Sequence, residues 1–322
     1  FSREAHCSVI VFEKGEFSTE NGFKGIVGAP VTPFTQDDKI DLETFAKQVN
    51  FLIENGVHLL AHPMHVGEAP SLTMEERESL AQCIVKTADG RVPVFVHVSM
   101  PGTKLSAELA HRCEKIGATG IVLLPPYYWR PPEEAQLGHF IDICGDSSLQ
   151  LICYNNINAT QVEISHGTLV QLIERLPNFV GFKDASFDMK YFTEVCRLTS
   201  EISPDFSMFT GVEYLLPSMP VGGSGAFSGC AEVAPKLTIG LYDACARMDF
   251  GSARPLQYKV SQLLSVRTNN QLCAYVKYAM ELMGRSVGET RSPVLPLDSE
   301  VKDLVKGTLK SIGVLEEEPR GW

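Results

Sequence analysis

The sequence predicts an α/β protein, a (β/α)8 TIM barrel carrying a C-terminal helical extension, and three observations lead there. From Gly25 onward, short apolar runs rich in Val, Ile and Phe alternate with longer amphipathic stretches that end in Gly or Pro, the pattern of repeated β–α units. The repeat of roughly 25–30 residues recurs eight times, which closes a barrel, whereas a doubly wound sheet usually stops at about five or six strands. The 322 residues, 44% of them apolar, suffice for a full barrel built as one unit.

Taken in order, the eight expected strands are 25–32, 58–63, 93–98, 120–124, 150–154, 179–183, 207–211 and 225–228. The first helix is expected over 42–56, where Phe45, Val49, Leu52 and Ile53 recur at near-helical spacing and Gly56 stops it. A second covers 72–88, opened by a capping box in which the Thr73 hydroxyl and the Glu76 carboxylate satisfy free amides of the first turn. Residues 105–117, 134–144, 166–176 and 188–199 read the same way. After the eighth strand come 233–248, 253–268, 270–283 and 299–312, all helical in pattern, with apolar faces that need the barrel or another subunit as partner. The expected organisation is thus a barrel over 21–232 and C-terminal helices over 233–322 packed on it as one structural domain. Residues 1–20 are set apart, since a chain that begins with Phe1 can carry a processing or expression remnant.

Composition removes several classes of function. Acidic residues outnumber basic ones by 39 to 28, for a net charge of -11, which repels polyphosphate and argues against a nucleic-acid partner. No apolar run reaches the ~18–20 residues of a spanning helix, so no membrane partner is expected. The nine cysteines are scattered without a CxxC pair and suit a reducing cytoplasm as small core residues. Gly222-Gly223-Ser224-Gly225 is glycine-rich but lacks the Lys-Ser or Lys-Thr of a P-loop. His62, His65 and His97 do not form a recognisable ligand pattern, and no catalytic metal is expected.

In a parallel barrel the site lies where the strands end, so the residues closing each apolar run carry the information. These are Met64-His65-Val66-Gly67-Glu68, Pro126-Tyr127-Tyr128, Tyr154-Asn155-Asn156, Lys183-Asp184, Gly211-Val212-Glu213 and Phe227-Ser228-Gly229. Lys183 ends an otherwise apolar strand, where desolvation disfavours the ammonium form and favours an amine that attacks carbonyls. A lysine that snorkels into solvent or pairs with Asp184 gives the same sequence pattern. Tyr154 ends the preceding strand at equivalent height, within reach of that amine as a proton shuttle; a core tyrosine bonded to backbone is the alternative.

Together these residues identify a family. Residues 25–34, the Val66-Gly67-Glu68 turn, Pro126-Tyr127-Tyr128, Tyr154-Asn155, Gly181-Phe182-Lys183-Asp184-Ala185-Ser186 and 225–229 resemble, in order and spacing, the dihydrodipicolinate synthase and N-acetylneuraminate lyase superfamily of class I aldolases. The resemblance spans about residues 22–300 and implies that Lys183 forms a Schiff base with a 2-oxo acid, that Tyr154 is its acid–base partner, and that no cofactor beyond the lysine is needed. It also implies a turn after strand two that binds the substrate carboxylate. That turn is Gly-Thr-Thr-Gly-Glu in the family but Met64-His65-Val66-Gly67-Glu68 here, without either hydroxyl. The amides of His65 and Val66 can still cradle a carboxylate, and His65 either replaces the lost relay or only fills space.

Tyr128, or its neighbour Tyr127, matches a tyrosine that the synthases use across a subunit interface; packing against Trp129 and the Pro131-Pro132 turn is the bland reading. A second departure is Ala159, where the synthases carry an arginine for the carboxylate of aspartate semialdehyde, which disfavours that substrate. Asn156, Asn158, Ser186 and Glu213 are candidates to bond the hydroxyls of a sugar-acid tail, or simply turn residues, and Phe227 and Ser228 close the list of substrate-binding candidates. The expected activity is a pyruvate-dependent aldolase that makes or breaks the C–C bond beside the imine, with pyruvate and an aldehyde as partners. A Schiff-base dehydratase or hydratase-aldolase on a deoxy sugar acid or an aryl-substituted 2-oxo acid is the second reading. A retired barrel that only binds a 2-oxo acid is the third. The family resemblance implies a homo-oligomer, commonly a tetramer.

Overall fold

A computed structural model describes residues 22–266 and 271–322. The expected segment 1–20 and the ends of the helices expected over 253–268 and 270–283 lie outside the described residues. Eight short strands, each buried along almost its whole length, form one closed parallel barrel in sequence order: β1 (Gly25–Gly28), β2 (Leu59–His62), β3 (Val94–His97), β4 (Gly120–Leu123), β5 (Gln150–Asn155), β6 (Phe179–Asp184), β7 (Ser207–Thr210) and β8 (Gly225–Ser228). The first strand is shorter than its apolar run. Pro30 and Pro33 have no N–H to give the ladder, so after Ala29, which still donates to Ser228 O at 3.1 Å, the chain leaves the barrel ladder and runs on buried, Val31 bonding the Gln48 side chain instead.

The helices follow the amphipathic stretches: α1 (Leu42–Glu54), α2 (Met74–Ala88), α3 (Thr103–Ile116), α4 (Glu133–Cys144), the one-turn α5 (Ile157–Thr160), α6 (His166–Arg175), α7 (Met189–Ile202) and the one-turn α8 (Leu215–Ser218). The expected capping box of α2 is present, with Glu76 N on Thr73 Oγ1 at 3.2 Å and Thr73 N on the Glu76 carboxylate at 2.9 Å. After β8, α9 (Pro235–Ala246) lies against β1 in the place of an eighth barrel helix, and α10 (Phe250–Ser265) packs on it. Then α11 (Leu272–Leu282), α12 (Ser299–Ser311) and α13 (Val314–Glu317) complete the C-terminal layer. Arg285, fully buried, ties that layer to the barrel by donating to the carbonyls of Glu232 at 3.0 Å and Pro319 at 2.6 Å. The expectation of a (β/α)8 barrel with C-terminal helices is borne out.

Register decides what the barrel can do. Tyr154 of β5 pairs with Lys183 of β6, which pairs in turn with Phe209 of β7. Strand pairing thus holds the phenol and the amine about 4.8 Å apart at the backbone and at one height, with no loop involved in the alignment.

Candidate active site

Lys183 stands at the C-terminal end of β6, only 3% exposed, with Nζ 3.8 Å from the centroid of the Tyr154 ring and 4.5 Å from that of Phe227. Two aromatic faces therefore shield the amine from bulk water. Tyr154 is itself 5% exposed, and its hydroxyl accepts a hydrogen bond from Asn156 Nδ2 at 3.0 Å. That places Asn156, a predicted substrate contact, on the phenol. The neighbouring Asp184 carboxylate is held by Asn155 Nδ2 at 2.8 Å and Ser186 Oγ at 2.8 Å, and burial raises its pKa against these bonds. Ser186 thereby orders the β6 end, accepting in addition from Asp188 N at 3.1 Å.

The turn after β2 is closed by Gly67 N on Met64 O and Glu68 N on His65 O, both at 3.1 Å. Val66 and Gly67 are buried beneath it, whereas the His65 side chain is exposed at its rim. Glu68 takes a left-handed φ of 56° and sends its carboxylate inward, to Lys277 Nζ of α11 at 2.7 Å and to Arg291 N at 2.8 Å. Glu68 is thus a buried anchor for the turn. Thr32, after β1, supplies a further brace: its hydroxyl donates to Gly67 O at 2.6 Å and lies 3.1 Å from His62 Nε2.

Below the turn sit His62, His97 and Arg77, all buried. Arg77 bonds Ser99 O and Ala69 O, linking the loops that follow β3 and β2. Burial, and then the charge of Arg77, lower the pKa of both histidines to about 3; Lys183 and His65 add to the effect on His97. Both imidazoles are consequently neutral near pH 7. Sequence reasoning did not single out Thr32 or Arg77 and considered His97 only as a metal ligand. The signal available was a polar residue at or just past the end of an apolar run, or a charged residue on the inner face of a helix.

The remaining candidates divide. Glu213, 1% exposed, accepts from Ser228 Oγ at 2.5 Å and from Cys230 N at 2.9 Å, so these two predicted contacts bind each other and fix the loop after β8. Asn158 and Ala159 are exposed. Tyr128 is 79% exposed at a left-handed φ of 75°, its ring edge-on to the equally open Trp129 at 5.2 Å. Phe187 and Tyr214, on the loops after β6 and β7, form a partly exposed edge-to-face pair 5.9 Å apart. A cavity of about 420 Å3 lies at the opposite end of the barrel, between Lys24, Asp205 and the Gly222-Gly223-Ser224 run, and contains none of the reactive residues. Among the described residues no group of three or more His, Cys, Asp or Glu side chains is arranged to hold a metal ion.

Comparison with known proteins adds a family likeness over nearly the whole described chain. The model of the dihydrodipicolinate synthetase family matches residues 22–312. A 4-hydroxy-tetrahydrodipicolinate synthase of Methanopyrus kandleri is 33% identical over 296 residues, 91% of this chain and 98% of that protein. The probable 2-dehydro-3-deoxy-D-pentonate aldolase YjhH of Escherichia coli strain K12 is 31% identical over 297 residues, covering 91% and 98%. Among solved structures, the dihydrodipicolinate synthase of Thermotoga maritima superposes with a TM-score of 0.86 at 30% identity, covering 91% and 99%. YagE of Escherichia coli K12, determined in complex with pyruvate, gives 0.86 at 26% identity, covering 91% and 99%.

Proposed function

We propose, from the premise that this chain belongs to the dihydrodipicolinate synthetase family and is a lyase of that superfamily, that it is a pyruvate-dependent aldolase with Lys183 as its Schiff-base residue. Enzymes of the family use pyruvate through a covalent lysine Schiff base and need no external cofactor. The observation that carries the assignment to Lys183 is its burial between the Tyr154 and Phe227 rings at the C-terminal mouth of the barrel.

In this reading the Lys183 amine adds to the ketone of a 2-oxo acid, giving a carbinolamine that loses water to an iminium ion. The iminium withdraws electrons, so the C3–C4 bond can break: the C4 hydroxyl gives up its proton, an aldehyde leaves, and an enamine remains on the lysine. Protonation at C3 and hydrolysis release pyruvate and the free amine. Tyr154, held by Asn156, moves the proton at C2 and C4. The Val66–Gly67 turn, with His65 at its rim, receives the carboxylate.

Ala159 in place of an arginine weighs against aspartate semialdehyde as the aldehyde, even though the synthases are close relatives. Likeness to a probable 2-dehydro-3-deoxy-D-pentonate aldolase supports a deoxy sugar acid. A second reading, hydratase-aldolase action on an aryl-substituted 2-oxo acid, is favoured by the Phe187–Tyr214 pair on the loops flanking Lys183. Pyruvate offered with aliphatic, polyhydroxylated and aromatic aldehydes, with products identified by mass, separates the two; a preference for aspartate semialdehyde would overturn both. Retention of Lys183 and Tyr154 weighs against a retired binding barrel. We further propose a homotetramer, for which the exposed Tyr128 and Trp129 rings offer a contact surface, working in a reducing cytosol where the eight described cysteines stay free.

A further inference from the structure

His97 ends β3 on the barrel's inner face: Val96 and Val98 on either side of it pack outward in one cluster with Leu109 and Ala110 of α3, so by strand alternation His97 turns the other way, toward the Tyr154 ring. Its Nδ1 lies 2.9 Å from Pro63 O. A carbonyl only accepts, so Nδ1 carries the proton and Nε2 carries the lone pair. Nε2 has no hydrogen-bond partner although the residue is only 5% exposed. A buried acceptor left unsatisfied costs about 1–3 kcal/mol and calls for an explanation. The explanation lies next to it. The His97 ring is 6.2 Å from the Tyr154 ring and inclined to it at 69°, and Lys183 and His65 are near enough to act on its charge.

We propose that His97 is a catalytic residue whose Nε2 accepts a hydrogen bond from a hydroxyl of the substrate adduct on Lys183. The inference rests on the Schiff-base reading above and adds to it what the adduct must present: an O–H donor directed at β3. A neutral imidazole with a lone pair takes a hydroxyl but repels a carboxylate or a carbonyl oxygen, so it discriminates for hydroxylated adducts. Two hydroxyls qualify. One is the C2 hydroxyl of the carbinolamine, common to every 2-oxo acid; the other is the C4 hydroxyl of an aldol product. In either case no proton passes to His97, whose low basicity suits a fixed acceptor.

The test compares wild type with His97→Phe, which keeps the shape, and His97→Gln, which restores an acceptor. The rate of borohydride trapping is followed by intact mass with pyruvate and with 4-hydroxy-2-oxopentanoate. Loss of the bond should slow trapping by about ten- to a hundredfold in the Phe variant, with partial recovery in the Gln variant. Slowing with both acids assigns the C2 hydroxyl, and slowing with the hydroxy acid alone assigns the C4 hydroxyl. Wild-type rates in a Phe variant of unchanged melting temperature would overturn the proposal. Should the Phe variant not fold, the 15N resonance of His97 Nε2 in the wild type decides. It must move during turnover of 4-hydroxy-2-oxopentanoate, whose carbinolamine carries the C2 hydroxyl and whose iminium keeps the C4 hydroxyl, and a signal stationary throughout counts against the bond. A wild type that traps neither acid sinks the Schiff-base reading as well, so the two failures are distinguishable.

Discussion

Parallel register brings the Tyr154 phenol to the Lys183 amine, and a proton shuttle at that place has a distinct signature: Tyr154→Phe should still trap an adduct while turnover falls by about 10²–10⁴-fold, read as kcat beside the trapped mass. The two residues were legible as a pair because each closes an apolar run on consecutive strands, and parallel register then leaves little choice in where they meet. What surrounds them was not legible, since Thr32, Arg77 and His97 arrive from other strands and helices whose side-chain directions no local pattern fixes. The same holds for Glu213 and Ser228, each a plausible substrate contact alone but bonded to one another in the fold. Burial also sets a pH signature. Glu232, fully buried with Arg285 nearby, has its pKa raised from 4.5 to about 8, mainly by desolvation. A raised folded pKa means that the stabilising share is complete below 4.5 and is lost as pH rises through about 8, at up to about 1.4 kcal/mol per pH unit. Glu232→Gln, which cannot ionise, should therefore gain in melting temperature over wild type steadily between about pH 5 and pH 8. His62 and His97 act with the opposite sense: held at about 3, they contribute fully above 6.5 and lose that share as pH falls. A constant gap between wild type and Glu232→Gln would contradict the assignment.

Elements with a sustained period or a cap were readable, and α2 shows why: Thr73 and Glu76 specify its first turn without reference to anything distant. One-turn helices such as Ile157–Thr160 and Leu215–Ser218 are too short to display a period, and Pro30 and Pro33 cut β1 short inside a continuous apolar run. The contact that joins elements was equally invisible. Lys277 on α11, 3% exposed, meets Glu68 of the β2 turn across 209 residues of sequence-distant chain, 2.7 Å apart. Removing one partner of such a buried pair costs about 3–5 kcal/mol because the other charge is stranded. Lys277→Met should accordingly lower unfolding stability by that order and raise KM for the 2-oxo acid. Glu68→Gln added to it should recover part of the stability in denaturant titrations, and additive losses would show that the pair does not act as a unit.

At the scale of the molecule, eight β–α repeats dictated closure, and the C-terminal helices found their partner in α9, α8 and the short segment after β8. Arg285, buried as a cation over the Phe51 ring at 4.1 Å, fastens the chain's last residues to that layer, which no sequence spacing announced. Assembly is the next level. The proposed tetramer should sediment at four times the 35.4 kDa chain mass, and Trp129→Glu should shift it to smaller species if the Tyr128–Trp129 surface is a contact. A wild type of single-chain mass would remove that proposal while leaving the barrel's own site intact.

The chemistry of the Lys183 amine separates an aldolase from a barrel that only binds. Incubation with pyruvate, reduction by borohydride and intact-mass measurement should show one pyruvate-derived adduct per chain in the wild type and none in Lys183→Ala, because reduction makes a Schiff base permanent. No adduct in the wild type, or an adduct that persists in Lys183→Ala, would contradict Lys183 as the Schiff-base residue.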